Sequence, residues 1–151
     1  MILAKWYDDI VVGETMTSRG RTITEGDIVN WCTLTGDMFM LHTDAHYAAK
    51  TRFGQRIAPG LLVHAFATGL GVPADGEAIV ANYGTDKLRF VAPVFIGDTI
   101  RLQATVAAKE DRDAHSGLVV LQWNALNQNG RLVMSSELKC LQARRRKAAV
   151  A

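Results

Sequence analysis

Cysteine is nearly missing from this chain, since Cys32 and Cys140 are the only two and neither belongs to a Cys-x-x-Cys pair. That scarcity excludes a disulfide scaffold and argues against zinc-ribbon or dithiol chemistry; two buried free thiols in a reducing cytoplasm are expected instead. No apolar run is long enough for a membrane span, and none is expected. The start, Met1-Ile-Leu-Ala-Lys-Trp-Tyr7, has neither a long apolar core nor a cleavage-like site, so no secretory signal is expected. Charge of one sign is scarce as well. A net charge of +2 is too small to predict nucleic-acid binding, and part of it comes from Arg144, Arg145, Arg146 and Lys147. That run reads as a solvated basic tail over 144–151, disordered and outside a single domain spanning 1–143. Internal repeats, low-complexity blocks and linker-like stretches are absent.

What is present suits one soluble domain with a sizeable core: 151 residues, 48% hydrophobic and 21% charged. A short extended segment near Trp6 turns at Gly13 and continues through a strand-like stretch from Thr15 to Ile23. Thr24 then reads as a helix N-cap, with Asp27 three residues on giving an imperfect capping box ahead of Ile28, Val29, Trp31, Cys32 and Leu34. Asp44 reads as the cap of a second short helix, Ala45 to Lys50. The segment from Ile57 to Gly71 is the most apolar of the chain. Leu61, Leu62, Val63, Ala65, Phe66, Ala67 and Leu70 surround its helical wheel, which predicts a helix enclosed by protein.

From Ala78 the period changes to two. Leu88 and Phe90 alternate with Lys87 and Arg89, and Ile100, Leu102, Ala104 and Val106 alternate with Thr99, Arg101, Gln103 and Thr105. Two further strands, 117–127 and 131–142, flank the turn signal Asn127-Gln-Asn-Gly130. Strands joined in this way run antiparallel, and one buried helix must lie against them. The expected class is therefore α+β: a long antiparallel sheet wrapped around a central apolar helix, the hotdog fold. Its open edge strand predicts dimerisation.

Chemistry concentrates between Thr33 and Ala48. Asp37 and His42 are the candidate acid/base pair. In one regular helix, residues five apart diverge by roughly 140°, but Gly36 predicts a helix end and a loop that folds the two together. A carboxylate and an imidazole converging beside an apolar pocket can hold and activate water. His42-x-Asp44-x-His46 also resembles a metal set, but Asp44 is wanted as a cap and His46 belongs to the next helix, so no metal is expected. His64, on the apolar helix, reads as a core histidine, and His115 as a loop residue.

Taken together, Thr22-Ile-Thr-Glu-x-Asp27-Ile, Leu34-Thr-Gly-Asp37, Leu41-His42-Thr-Asp44, Tyr47-Ala48, Thr51-x-Phe53-Gly54, Ile57-Ala-x-Gly60-Leu-Leu and Phe90-x-x-Pro93-Val-x-x-Gly97-Asp98-Thr99 resemble the MaoC-like dehydratases, which include the (R)-specific enoyl-CoA hydratases. The resemblance implies a hotdog fold, a homodimer or dimer of dimers, and a hydro-lyase that reversibly adds water to a trans-2-enoyl-CoA. It implies no cofactor beyond the coenzyme A carried by the substrate. The family's catalytic pair falls on Asp37 and His42, its backbone oxyanion donor on Gly60, and its helix-borne serine on Thr68.

The physics agrees with those positions. Negative charge builds on the thioester oxygen during hydration, so a donor must be aimed there in advance. The Gly60 amide, in the first turn of a helix, has no intrahelical partner and no side chain to obstruct a ligand. Thr68 either orients the pair or bonds its own backbone.

One departure lies inside the central motif, where the family has Asn-Pro and this chain has Phe39-Met40. With Leu41 these residues are expected to form an apolar, adjustable substrate wall, suited to a branched or substituted acyl group. Two rival readings follow: a hotdog thioesterase, and a non-catalytic subunit that binds acyl thioesters. Arg52, Arg56, Lys87 and Arg89 are candidate partners of the coenzyme A phosphates.

Overall fold

The period-two segments become long strands that pair side by side. The computed structural model describes residues 1–145. It contains two short strands, β1 (Thr15–Thr17) and β2 (Arg21–Thr22), and four long ones, β3 (Ile79–Phe90), β4 (Thr99–Asp111), β5 (Ser116–Leu126) and β6 (Leu132–Ala143). Their order is β1-β4-β5-β6-β3, with β2 also on β4, and every pairing is antiparallel. In β4 the alternation works as expected: Ile100, Leu102, Ala104 and Val106 are buried. The β5–β6 turn closes on Asn127, whose side chain accepts the amides of Asn129 and Arg131. Gly130 there adopts a left-handed φ of 75°.

Among the described residues there are four α-helices, α1 (Glu25–Thr35), α2 (Met40–Thr43), α3 (Ala45–Ala49) and α4 (Gly60–Gly71), and two 3-10 turns near the start, Ile2–Ala4 and Tyr7–Asp9. Thr24 and Asp27 form the full capping box of α1. The Asp44 carboxylate accepts the His46 and Tyr47 amides at 2.8 and 2.9 Å and so starts α3. Helix α4 buries Leu62, Val63, Ala67 and Leu70 against the sheet, each burial worth about 1.5–3 kcal/mol for the larger side chains. Gly71 permits the closest approach, since a Cβ there would lie 2.1 Å from the Trp123 ring. One sheet curved around one apolar helix is the hotdog arrangement.

Three expectations are corrected. Within one chain the helix is not enclosed on all sides: Leu61 is 56% exposed, and Ala65 and Gly69 also face outward, because a single sheet covers a single side. The strand expected from Thr15 to Ile23 is interrupted after Thr17, where the Ser18 hydroxyl accepts the Leu102 amide in place of a backbone partner. Arg144 and Arg145, expected in a solvated tail, are held by ion pairs instead. Arg144 pairs with Asp8 and Asp111, and Arg145 with Asp9, so three carboxylates near the chain start and the β4 end tie these two arginines down. The rest of that run lies outside the described residues. Both cysteines are free and buried, and among the described residues no helix is long and apolar enough to cross a membrane.

Candidate active site

Helix α1 ends at Gly36, whose left-handed conformation (φ 76°) returns its amide to the Cys32 carbonyl at 2.8 Å. The chain then passes Asp37 and re-enters helix sooner than expected, in the single turn of α2 that carries His42. The Thr43 hydroxyl donates to the carbonyls of Met38 and Phe39 and steadies that turn. From α3 the chain returns alongside it, and the Ile57 amide donates to the Leu41 carbonyl at 3.4 Å.

This return brings the Ile57 carbonyl oxygen to 2.7 Å from Nδ1 of His42. A carbonyl only accepts, so Nδ1 carries the proton, and in the neutral ring Nε2 keeps the lone pair. The Phe39 ring meets the imidazole edge-on, with centroids 5.8 Å apart, and also contacts Tyr47.

His42 lines a cavity of about 300 Å³ together with Arg52, Phe53, Gly60, Val63 and Phe90, the segment Val91–Val94 closing one side. Gly60 is the first residue of α4, and among the described residues no side chain caps that end, so its N–H can meet an acceptor. Its Cα abuts the Phe90 ring: a Cβ would fall 2.5 Å from Cδ2.

The other sequence-predicted residues take different places. Asp37 is exposed and does not line this cavity. No hydrogen bond joins it to His42; its backbone amide donates to the Thr35 hydroxyl. The Cys32 thiol, pushed up mainly by burial, is pushed further by the Asp37 charge, which places that carboxylate near the end of α1. Thr68 donates its hydroxyl to the His64 carbonyl at 3.0 Å, one turn back along α4. It takes the backbone-bonding option.

Phe39 and Met40 are 51% and 49% exposed, and neither they nor Leu41 line the cavity. Phe39 precedes the α2 turn and backs His42 from outside, so the expected wall is replaced by Phe53, Val63 and Phe90. Of the candidate phosphate partners, Arg56 is paired with Glu25 and Lys87 with Glu137, while Arg89 donates to its neighbour's carbonyl. Arg52, stacked near Phe53, is the cation on the cavity.

His64 has a buried Nδ1 without a partner, and burial holds its pKa below the ordinary imidazole value. Phe53 and Phe90 were visible in the motif, but their roles depend on packing between α4, β3 and the α3–α4 connection, which no local pattern encodes.

The MaoC like domain family matches residues 10–125 of this chain. Protein MaoC of Klebsiella aerogenes is 41% identical over 105 residues, covering 70% of this chain and 31% of that protein. The chain thus spans under a third of that relative. An (R)-specific enoyl-CoA hydratase of Rhodospirillum rubrum is 35% identical over 106 residues, covering 70% of this chain and 72% of that one. Among solved structures, a monoamine oxidase regulatory protein from Archaeoglobus fulgius superposes with a TM-score of 0.89 at 37% identity, covering 94% of this chain and 96% of that one.

Proposed function

This chain belongs to the MaoC-like dehydratase family, and from that footing we propose that it is a hydro-lyase that reversibly hydrates a trans-2-enoyl-CoA to the (R)-3-hydroxyacyl-CoA. One observation carries the reading: an imidazole with Nδ1 tied to the Ile57 carbonyl shares a cavity with the uncapped amide of Gly60. A base and an oxyanion donor on one apolar cavity are what conjugate addition of water requires.

In the forward direction, Nε2 of His42 takes a proton from water as the water oxygen bonds to C3. The electrons of the C2=C3 bond move through C1 onto the thioester oxygen, where the Gly60 amide, at the positive end of α4, meets the charge. When that charge collapses, C2 takes a proton in exchange for the one His42 removed from water, so the imidazole is returned to its neutral form and the product carries a hydroxyl at C3. Asp37 is assigned as the partner group of His42 on the family pattern, five residues before it in the chain.

The active form is assigned as a homodimer. Among the described residues β3 pairs only with β6, leaving its other edge open, with Val80 and Tyr83 exposed along it. A second copy would also cover the outward side of α4.

The test follows the enoyl-thioester absorbance with short, medium and methyl-branched 2-enoyl-CoAs, with free thiol monitored in parallel. Loss of the band without thiol release supports hydration. Thiol release would turn the reading to a thioesterase, and binding without turnover to a non-catalytic subunit.

A further inference from the structure

Phe90 stands on the inner side of the sheet only because β3 carries an extra residue. Thr85 pairs with Leu138 and Phe90 with Met134, and both partners are buried. Directly paired residues share a face, so Thr85 and Phe90 both point inward. They are five residues apart, and strict alternation would put them on opposite faces.

The break lies between Asp86 and Arg89, where β3 advances one residue more than β6. Within it Lys87 holds φ at 52°, the one non-glycine positive φ among the described residues. A bulge of this kind re-aims the side chains that follow it, and a non-glycine residue held there signals a conformation kept for a purpose.

The purpose is visible in what the ring touches. Three carbons of Phe90 would lie within 2.7 Å of a Cβ on Gly60, so the ring rests against the Gly60 backbone at the cavity wall while still 47% exposed. A carbonyl held by the Gly60 amide would present its nearest substituents, C2 and the sulfur, to that ring.

We infer that Phe90, turned inward by the Lys87 bulge and packed on Gly60, is a specificity-determining residue that limits substitution at C2 of the acyl thioester. This rests on the reading of the cavity as the thioester site. The ring occupies the space that a branch at C2 would need, while leaving the far end of the acyl chain to other walls. A pocket discriminates against one added methyl group through such contact.

The test compares 2-butenoyl-CoA with 2-methyl-2-butenoyl-CoA as substrates, and butyryl-CoA with 2-methylbutyryl-CoA as binding ligands, for wild type, Phe90→Leu and Phe90→Ala. The wild type is expected to prefer the unbranched member of each pair. Phe90→Ala should move both the kcat/KM ratio and the Kd ratio toward the branched member by about tenfold or more, with Phe90→Leu between. The milder variant keeps the test usable if Phe90→Ala fails to fold.

Equal losses on both members of each pair, or a wild type indifferent to the branch, would overturn the inference. If the wild type binds both saturated ligands and hydrates neither enoyl thioester, the hydratase reading fails and the Kd ratio alone decides the role of Phe90. Absence of binding to either ligand overturns both.

Discussion

Nδ1 of His42 lies 2.7 Å from the carbonyl oxygen of Ile57, 15 residues further along the chain. That contact selects the tautomer and leaves Nε2 as the basic atom, a distinction that residue type and spacing alone do not make. His42→Gln should lower kcat/KM by about 10²–10⁴ while leaving the circular dichroism spectrum and thermal midpoint near those of the wild type. Asp37→Asn, an exposed position, should leave the fold equally intact; steady-state kinetics on the two variants then show whether one group or both move protons.

Gly60→Ala pushes a methyl group into the Phe90 ring. Displacing the amide by ~1 Å from its position against the thioester oxygen should cost about 10²-fold in kcat/KM. Adding Phe90→Ala to the same chain frees the space, and part of the loss should return. Failure of the double variant to exceed the single one would contradict the contact.

Gly71→Ala tests the core beneath the site. Its Cβ would lie 2.1 Å from the Trp123 ring and 2.5 Å from Leu102, both fully buried. Overpacking of this kind destabilises by about 1–3 kcal/mol, which urea denaturation would read as a lower midpoint with an unchanged slope.

Thr24→Ala removes the side chain that accepts the Asp27 amide at 3.2 Å and starts α1. The loss should be about 0.5–2 kcal/mol in the same denaturation experiment. A larger fall would mean that α1 supports more of the molecule than its cap.

Burial pushes the Cys140 thiol up to about 11 from an ordinary 9.0. The folded state therefore keeps its proton at a pH where the unfolded chain has lost it. Stability associated with this group is fully present below about pH 9 and declines as pH rises toward about 11. The thiol should resist alkylation in the native protein at pH 8 and react once the chain is unfolded in urea, with mass spectrometry as the readout.

Much of this was legible from local chemistry. Thr24 with Asp27 and Asp44 with the following amides are caps because an acceptor stands two or three residues before free N–H groups. The β4 strand follows from the alternation of Ile100, Leu102, Ala104 and Val106. Gly36 was readable as the end of α1 for the same local reason.

The rest depends on which segments meet. The Lys87 bulge leaves no turn residue to read, and it reverses the facing of Leu88 and Phe90 relative to Thr85. Phe39 and Met40 read as a pocket wall because they adjoin His42 in sequence, yet the α2 turn points them away. Thr68 carried a hydroxyl at the expected position, but one turn of its own helix offered it a nearer acceptor.

The most direct measurement is hydration of 2-butenoyl-CoA in water enriched in oxygen-18, with the product analysed by mass spectrometry before and after cleavage of the thioester. The account predicts one heavy oxygen at C3 of an intact 3-hydroxybutyryl-CoA, and its loss in His42→Gln. Heavy oxygen appearing only in a released carboxylate, or equal incorporation by wild type and His42→Gln, would contradict it.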